Sequence, residues 1–345
     1  MSEIIKYLKQ LTEGEDLSIE DSKRSFQIML SGGATPPQIA AFLIALKIKG
    51  ETVDEITGAA LVMRHKADKI KSPPGAIDTC GTGGDDAGTL NVSSASALVL
   101  AGCGVPVAKH GNRAISSRCG SADVLEALGV KIDAPKELVE ESLEKANICF
   151  LLATKHHKAM RHISPVRHEL GIRTVFNLLG PLSNPAIPES QIIGVYEREA
   201  VGKMAEVLRN LGCSAAWVVH GEGGLDELSI SGPSHVAELK NSLVANFTVT
   251  PADAGLETSP LAELAGGDAA HNARAMRDLL GGKKGAYRDI VLLNAAAALI
   301  VTGKAENLAD GVGLAAKSID GGKARKALEK LVEITNSGEL SGTDD

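Results

Sequence analysis

Three short stretches of this 345-residue chain gather residue types suited to phosphate. The first is Gly81-Thr82-Gly83-Gly84-Asp85, followed by an expected helix opening at Asn91-Val92-Ser93-Ser94. Glycines let a backbone approach a ligand closely, and a helix N-terminus presents unpaired N–H groups and partial positive charge to an anion. Alone, this stretch is equally compatible with a tight strand-to-helix turn capped by Asn91 or Ser93. It matches neither the G-x-G-x-x-G fingerprint nor the P-loop, so dinucleotide and ATP binding are not indicated. The second stretch, Lys109-His110-Gly111-Asn112-Arg113-Ala114-Ile115-Ser116-Ser117, adds two cations, backbone amides and hydroxyls. The third runs from Gly221 to the adjacent carboxylates Asp226 and Glu227. Facing a polyphosphate, that pair would repel it unless a cation stood between them. Mg²⁺ takes one or two carboxylates, several waters and substrate phosphate oxygens, so Asp226, Glu227 and the Ser93 hydroxyl are the candidate ligands.

A scaffold must bring the three stretches to one edge. Short apolar runs read as strands at Ala76–Cys80, Val105–Lys109, Ile148–Leu152, Gln191–Tyr196 and Ala215–His220. Helical patterns separate them, as at Val92–Ala101, Ala122–Leu128, Lys136–Lys145 and Glu199–Leu211. This alternation predicts a mostly parallel sheet flanked by helices, and such sheets bind ligands outside the carboxyl ends of their strands. Residues 1–72 read instead as an all-helical domain, punctuated by capping signatures at Ser18/Asp21, Thr35/Gln38 and Thr52/Glu55. The expected division is a small helical domain over 1–72 and a larger α/β domain over 73–345. A helical segment at 165–185 breaks the α/β rhythm and is expected to pack onto the first domain. A few short strands are expected in 227–250, helices from Asp268 to Thr335, and a disordered tail after that.

Composition narrows the function. Lys and Arg number 36 against 43 Asp and Glu, a net charge of −7, and aromatics are only 3%. That balance argues against a protein that stacks bases or tracks a nucleic-acid backbone. The five cysteines lack any C-x-x-C spacing and read as small buried residues in a reducing compartment. No apolar run reaches the roughly 20 residues a membrane span needs, and the charged amphipathic start lacks a signal-peptide pattern. A soluble cytoplasmic protein with no membrane or nucleic-acid partner is expected.

Taken together and in this order, the motifs resemble the anthranilate phosphoribosyltransferase family of tryptophan biosynthesis. The resemblance covers essentially the whole chain. It is carried by GTGGD with N-V-S-S, by KHGNR-x-x-S-S with G-S-A-D at Gly120–Asp123, by GPLSNP at Gly180–Pro185, and by the late Asp-Glu pair. It implies transfer of the phosphoribosyl group of phosphoribosyl pyrophosphate (PRPP) to the amine of anthranilate, with Mg²⁺ and a homodimer joined through the helical domain. It assigns Gly81, Gly84, Asp85, Thr89, Asn91, Val92, Ser93, Ser94, the run Lys109 to Ser117 and Ser121 to PRPP. Gly81, His110, Asn112, His157 and Arg167 go to anthranilate, with Lys109, Asp226 and Glu227 as catalytic groups. Asp86, where a small residue is usual, and Cys119, where serine is usual, depart from the pattern. A pyrimidine nucleoside phosphorylase shares the architecture and a Lys-His loop, but the KHGNR continuation and the Asp-Glu pair favour the transferase.

The Arg167 fork suits the anthranilate carboxylate, the alternative being an ion pair with Glu169. An aryl amine is already neutral near pH 7, so no base is needed to create the nucleophile. His110 and His157 are candidate proton acceptors by residue type only. His156-His157 beside Lys155 and Lys158 resembles a metal or phosphate site, but adjacent side chains on regular structure point different ways. Asn184-Pro185 reads as a simple turn.

Overall fold

The computed structural model describes residues 3–84, 87–114 and 118–337. Four helices open the chain: α1 (Ile4–Thr12), α2 (Ile19–Leu30), α3 (Pro36–Lys49) and α4 (Val53–Lys66). Their caps form where the sequence placed them. The Ser18 hydroxyl accepts the Asp21 N–H at 3.1 Å, the Thr35 N–H reaches Gln38 Oε1 at 3.0 Å, and Thr52 and Glu55 exchange bonds of 3.2 and 2.8 Å. Each cap is worth about 1 kcal/mol. Glu55 is wholly buried yet fully employed, since it also accepts the Leu17 N–H and pairs with Lys49 at 3.1 Å.

The α/β part then runs β1 (Ile77–Gly81), α5 (Val92–Gly102), β2 (Val107–Gly111), α6 (Ser121–Ala127), α7 (Lys136–Ala146), β3 (Ile148–Leu152), α8 (Ala153–His156), α9 (Ser164–Leu170), α10 (Val175–Leu182), β4 (Ser190–Gly194), α11 (Ala200–Asn210) and β5 (Ala215–Gly221). The few short strands expected in 227–250 are in fact a regular hairpin, β6 (Ser234–Lys240) and β7 (Leu243–Val249). Helices α12 (Ala269–Leu280), α13 (Ala286–Val301), α14 (Leu308–Asp320) and α15 (Lys323–Asn336) complete the chain. Among the described residues no helix is long and apolar enough to cross a membrane.

The seven strands lie in the order β3-β2-β1-β4-β5-β6-β7, with the first five parallel and the hairpin antiparallel at the edge. The chain winds outward from β1 to β3, then restarts at β4 on the other side of β1. That reversal is a topological switch point, where an open parallel sheet has its ligand crevice.

Two large apolar cores and a smaller third, around Ala108, Cys149 and Leu151, cover the sheet. One packs α5, α6 and α12–α15 onto residues such as Ile77, Val107, Trp217 and Val219, with the Ala-rich stretch of α13 fully buried. The other joins α1–α4, Val166 of α9, α10 and α11 to Ile193, Val218 and Leu239. Phe176 of α10 lies 5.7 Å from Phe26 of α2, so the interrupting helices share a core with the N-terminal ones. The cysteines are all unpaired; Cys119 and Cys149 are buried as expected, but Cys80, Cys103 and Cys213 are only half-buried.

Candidate active site

At the switch point, Gly81 closes β1 and pairs with Gly194, which closes β4. A Cβ on Gly81 would collide with the Asp226 carboxylate, and one on Gly194 with the Asp226 carbonyl. Two bare strand ends therefore let the 221–227 turn fold over the sheet edge. The Gly83 N–H donates to Asp226 Oδ2 at 2.8 Å, and the Ser93 N–H at the start of α5 donates to Glu227 Oε1 at 3.1 Å. Lys109 on β2 is buried; its ammonium donates to the Thr79 carbonyl and to Ser93 Oγ at 3.3 Å. The glycine turn, the helix start, the lysine and the carboxylate pair thus meet around a narrow cleft lined by Thr79, Ser93, Gly194 and Glu227, among others.

Asp226, Glu227 and Ser93 supply only oxygen donors, held in place by backbone amides, at the mouth of an anion-favouring crevice. Hard, oxygen-seeking Mg²⁺ fits such a set when substrate phosphate completes the shell.

A second group faces the same edge from β2. His110 and His157 are both buried, with ring centroids 5.4 Å apart. His110 Nδ1 donates to the Gly180 carbonyl at 3.1 Å, and His157 is held by a backbone hydrogen bond at Ser183. Neither Nε2 has a partner among the described residues. Burial drives both rings toward the neutral form, His110 down to about 3 and His157 down to about 4.

The remaining expected residues sort by position. Asn91 is fixed by Asn272 at 2.9 Å and by Tyr287, whose hydroxyl donates to its carbonyl at 3.1 Å. Its side chain makes no helix cap. Thr89 bridges Ala265, and buried Val92 packs in the core behind the loop. Ser94 is buried beneath the α5 start with its hydroxyl unpartnered among the described residues. Ser121 donates to the Asn112 carbonyl at 3.3 Å, next to Gly111. Arg113 is exposed and paired with Asp123 at 3.1 Å and Glu126 at 2.8 Å on α6, while the Ala114 N–H donates to Asp123. Arg167 is half-buried over the Phe176 ring at 5.4 Å; among the described residues it makes no ion pair, so the Glu169 alternative does not form. Asp85, Asp86, Ile115, Ser116 and Ser117, and the tail from Gly338 on, lie outside the described residues. Lys155 binds the carbonyls of Asp133 and Ala134, Lys158 pairs with Asp68 at 2.8 Å, and His156 bonds the Asp68 carbonyl at 2.8 Å. Lys155, His156 and Lys158 are therefore spent on structure.

Four residues escaped the sequence reading. Asp78 and Asn184 form a buried pair behind Lys109, where Asn184 was expected only to turn the chain. Gly194 gave no signal beyond ending a strand. Arg173 hydrogen-bonds the Gly84 carbonyl and stacks 4.2 Å over Tyr196. Its signal was a second arginine six residues after Arg167 in the interrupting segment.

Family models match in two parts, a glycosyl transferase helical bundle domain over residues 5–67 and a glycosyl transferase a/b domain over residues 73–325. The class is thus a two-part glycosyl transferase. An anthranilate phosphoribosyltransferase of Parvibaculum lavamentivorans is 54% identical over 336 residues, covering 97% of this chain and 98% of that protein. One from Thermus thermophilus superposes with a TM-score of 0.91 at 43% identity, covering 96% and 99% of the two chains. The Saccharomyces cerevisiae enzyme in complex with PRPP and Mg gives 0.88 at 29% identity, covering 97% and 98%; a complex with 4-fluoroanthranilate gives 0.87 at 28%, over the same shares. The chain belongs to the anthranilate phosphoribosyltransferase family.

Proposed function

We propose that this enzyme transfers the 5-phosphoribosyl group of PRPP to the amine of anthranilate, giving N-(5-phosphoribosyl)anthranilate and pyrophosphate, in tryptophan biosynthesis. The observation that carries the reading is the meeting of Asp226, Glu227, Ser93 and Lys109 at the switch point. Gly81, Gly84, Asp85, Thr89, Asn91–Ser94, Lys109–Ser117 and Ser121 hold PRPP; Gly81, His110, Asn112, His157 and Arg167 hold anthranilate. Ser93, Asp226 and Glu227 hold Mg²⁺, which when bound neutralises charge on the pyrophosphate.

Departure of pyrophosphate builds positive character on the ribose and negative charge on the leaving group, so the rate depends on stabilising that charge where it develops. An ammonium has three N–H donors. Thr79 and Ser93 engage two on Lys109, which leaves one N–H of the ammonium to offer the leaving group. Loop amides and the α5 N-terminus add fixed dipoles that need no reorganisation. Burial keeps the His110 and His157 rings neutral near pH 7, so each can accept a hydrogen bond or the proton that the amine loses. With Nδ1 of His110 donating to Gly180, its Nε2 is an acceptor that orients the incoming amine. Holding both substrates in line accounts for much of the remaining acceleration.

The protein works in the cytoplasm on small molecules alone, divided into a helical domain over 1–72 and an α/β domain over 73–345. Two copies join through the helical domain, a reading supported by Ile48 on α3, 81% exposed. Loss of anthranilate fluorescence is the test. It should require PRPP and Mg²⁺ together; loss that persists without PRPP would defeat the reading.

A further inference from the structure

We propose that Asp78, the second residue of β1, is a positioning residue whose single carboxylate sets Lys109 and His110 together, and so aligns the phosphate end of the crevice with its aryl end. The inference rests on the transferase reading above.

Asp78 is wholly buried. One carboxylate oxygen accepts the His110 N–H at 3.1 Å, and the other accepts the Asn184 side-chain amide at 2.8 Å. Asn184 also donates to the Ala108 carbonyl at 2.7 Å, so the pair grips β2 on both sides of Lys109. On the far side of His110, the ring bonds Gly180, four residues before Asn184. Asp78, Asn184 and His110 thereby tie β1, β2 and the end of α10 into one unit. Every member of that unit adjoins an expected substrate contact.

The charge itself has a recipient. Burial raises the Asp78 carboxyl to about 6, against the pull of the Lys109 ammonium, the Asn184 amide and the His110 and Thr79 backbone. The other titratable neighbours are the thiols of Cys80 on β1 and Cys149 on β3, which burial and this carboxylate push up into the neutral form. Lys109 is therefore the cation that Asp78 answers. Lys109 makes no ion pair among the described residues, and a buried ammonium without a counter-charge is poorly tolerated.

The test is steady-state kinetics of the full-length protein from about pH 5 to 8, on the wild type, Asp78→Asn and Asn184→Ala. Asp78→Asn should lower kcat/KM for both PRPP and anthranilate by about tenfold to a hundredfold, the scale of a small misplacement of reacting groups. The ratio of wild type to variant cancels the titration of PRPP itself. It should be largest above pH 7 and shrink below about 6, where the wild-type carboxyl takes up its own proton. Asn184→Ala keeps the charge but removes a bond that favours it, so the acid limb of its profile should move to higher pH. That arm stands even if Asp78→Asn fails to fold. A ratio flat with pH, an unmoved acid limb for Asn184→Ala, or a variant that loses only thermal stability would overturn the role of Asp78. A wild type that turns over nothing would overturn the transferase reading instead.

Discussion

At Gly194 a single hydrogen atom decides whether the carboxylate pair can reach the crevice. A methyl group there would occupy the position of the Asp226 carbonyl, so Gly194→Ala must push the 221–227 turn off the sheet end. The expected result is a loss of about a hundredfold in kcat/KM at fixed Mg²⁺, partly recovered at high Mg²⁺; wild-type magnesium dependence would contradict it. The histidine pair makes a pH prediction. Folded His110 and His157 titrate near 3 and 4, below the ordinary imidazole value, so their stabilisation is complete above about pH 6.5 and drains away as pH falls through those values. Each contributes a slope of about 1.4 kcal/mol per pH unit in that window. Asp78, with its raised carboxyl, works in the opposite sense between about 4 and 6. Denaturant unfolding of the wild type and His157→Asn at several pH values isolates the histidine part: the variant should lose less stability on acidification.

The interrupting helices α9 and α10 carry Arg167, the proposed anthranilate contact, and share their core with α1–α4. The guanidinium is half-buried, its pKa lowered by desolvation, with an aromatic face beneath it and no carboxylate partner among the described residues. A cation held in this way is ready for a ligand carboxylate. Arg167→Ala should raise KM for anthranilate by about tenfold or more, leaving KM for PRPP near the wild-type value. Equal effects on both substrates would remove Arg167 from that role. Arg64 shows how firmly these helices are set: it is buried in α4 and donates to the Leu182 carbonyl at 2.6 Å, fastening α4 to the end of α10. Motion of the N-terminal helices would therefore be felt at Gly180, Ser183 and Asn184, and through them at His110, His157 and Asp78.

Over the entire protein, one face of the sheet carries α5, α6 and α12–α15 and the other leads into the helical bundle. In the proposed homodimer, exposed Ile48 on α3 is the part of the bundle that the second copy covers. Ile48→Asp should shift sedimentation equilibrium toward the monomer while leaving unfolding of the separated chain almost unchanged. A variant that stays dimeric would place the contact elsewhere.

Local chemistry determined a great deal. The helix caps, the five parallel strands, the glycine turn, the Lys-His loop and the Asp-Glu pair are written in residue types and spacings that act within a few positions of one another, and all could be read from the chain. Strand ends shifted by a residue or two, because ladder pairing rather than composition sets where a strand stops. What the order of residues could not decide is which strands lie side by side. Only the placement of β4 against β1 makes Gly194 the neighbour of Gly81, sets Asp226 over both, and turns Asn184 from a turn residue into the partner of Asp78. Those pairings join positions about a hundred residues apart, and they exist only because two separately built cores close on a common sheet.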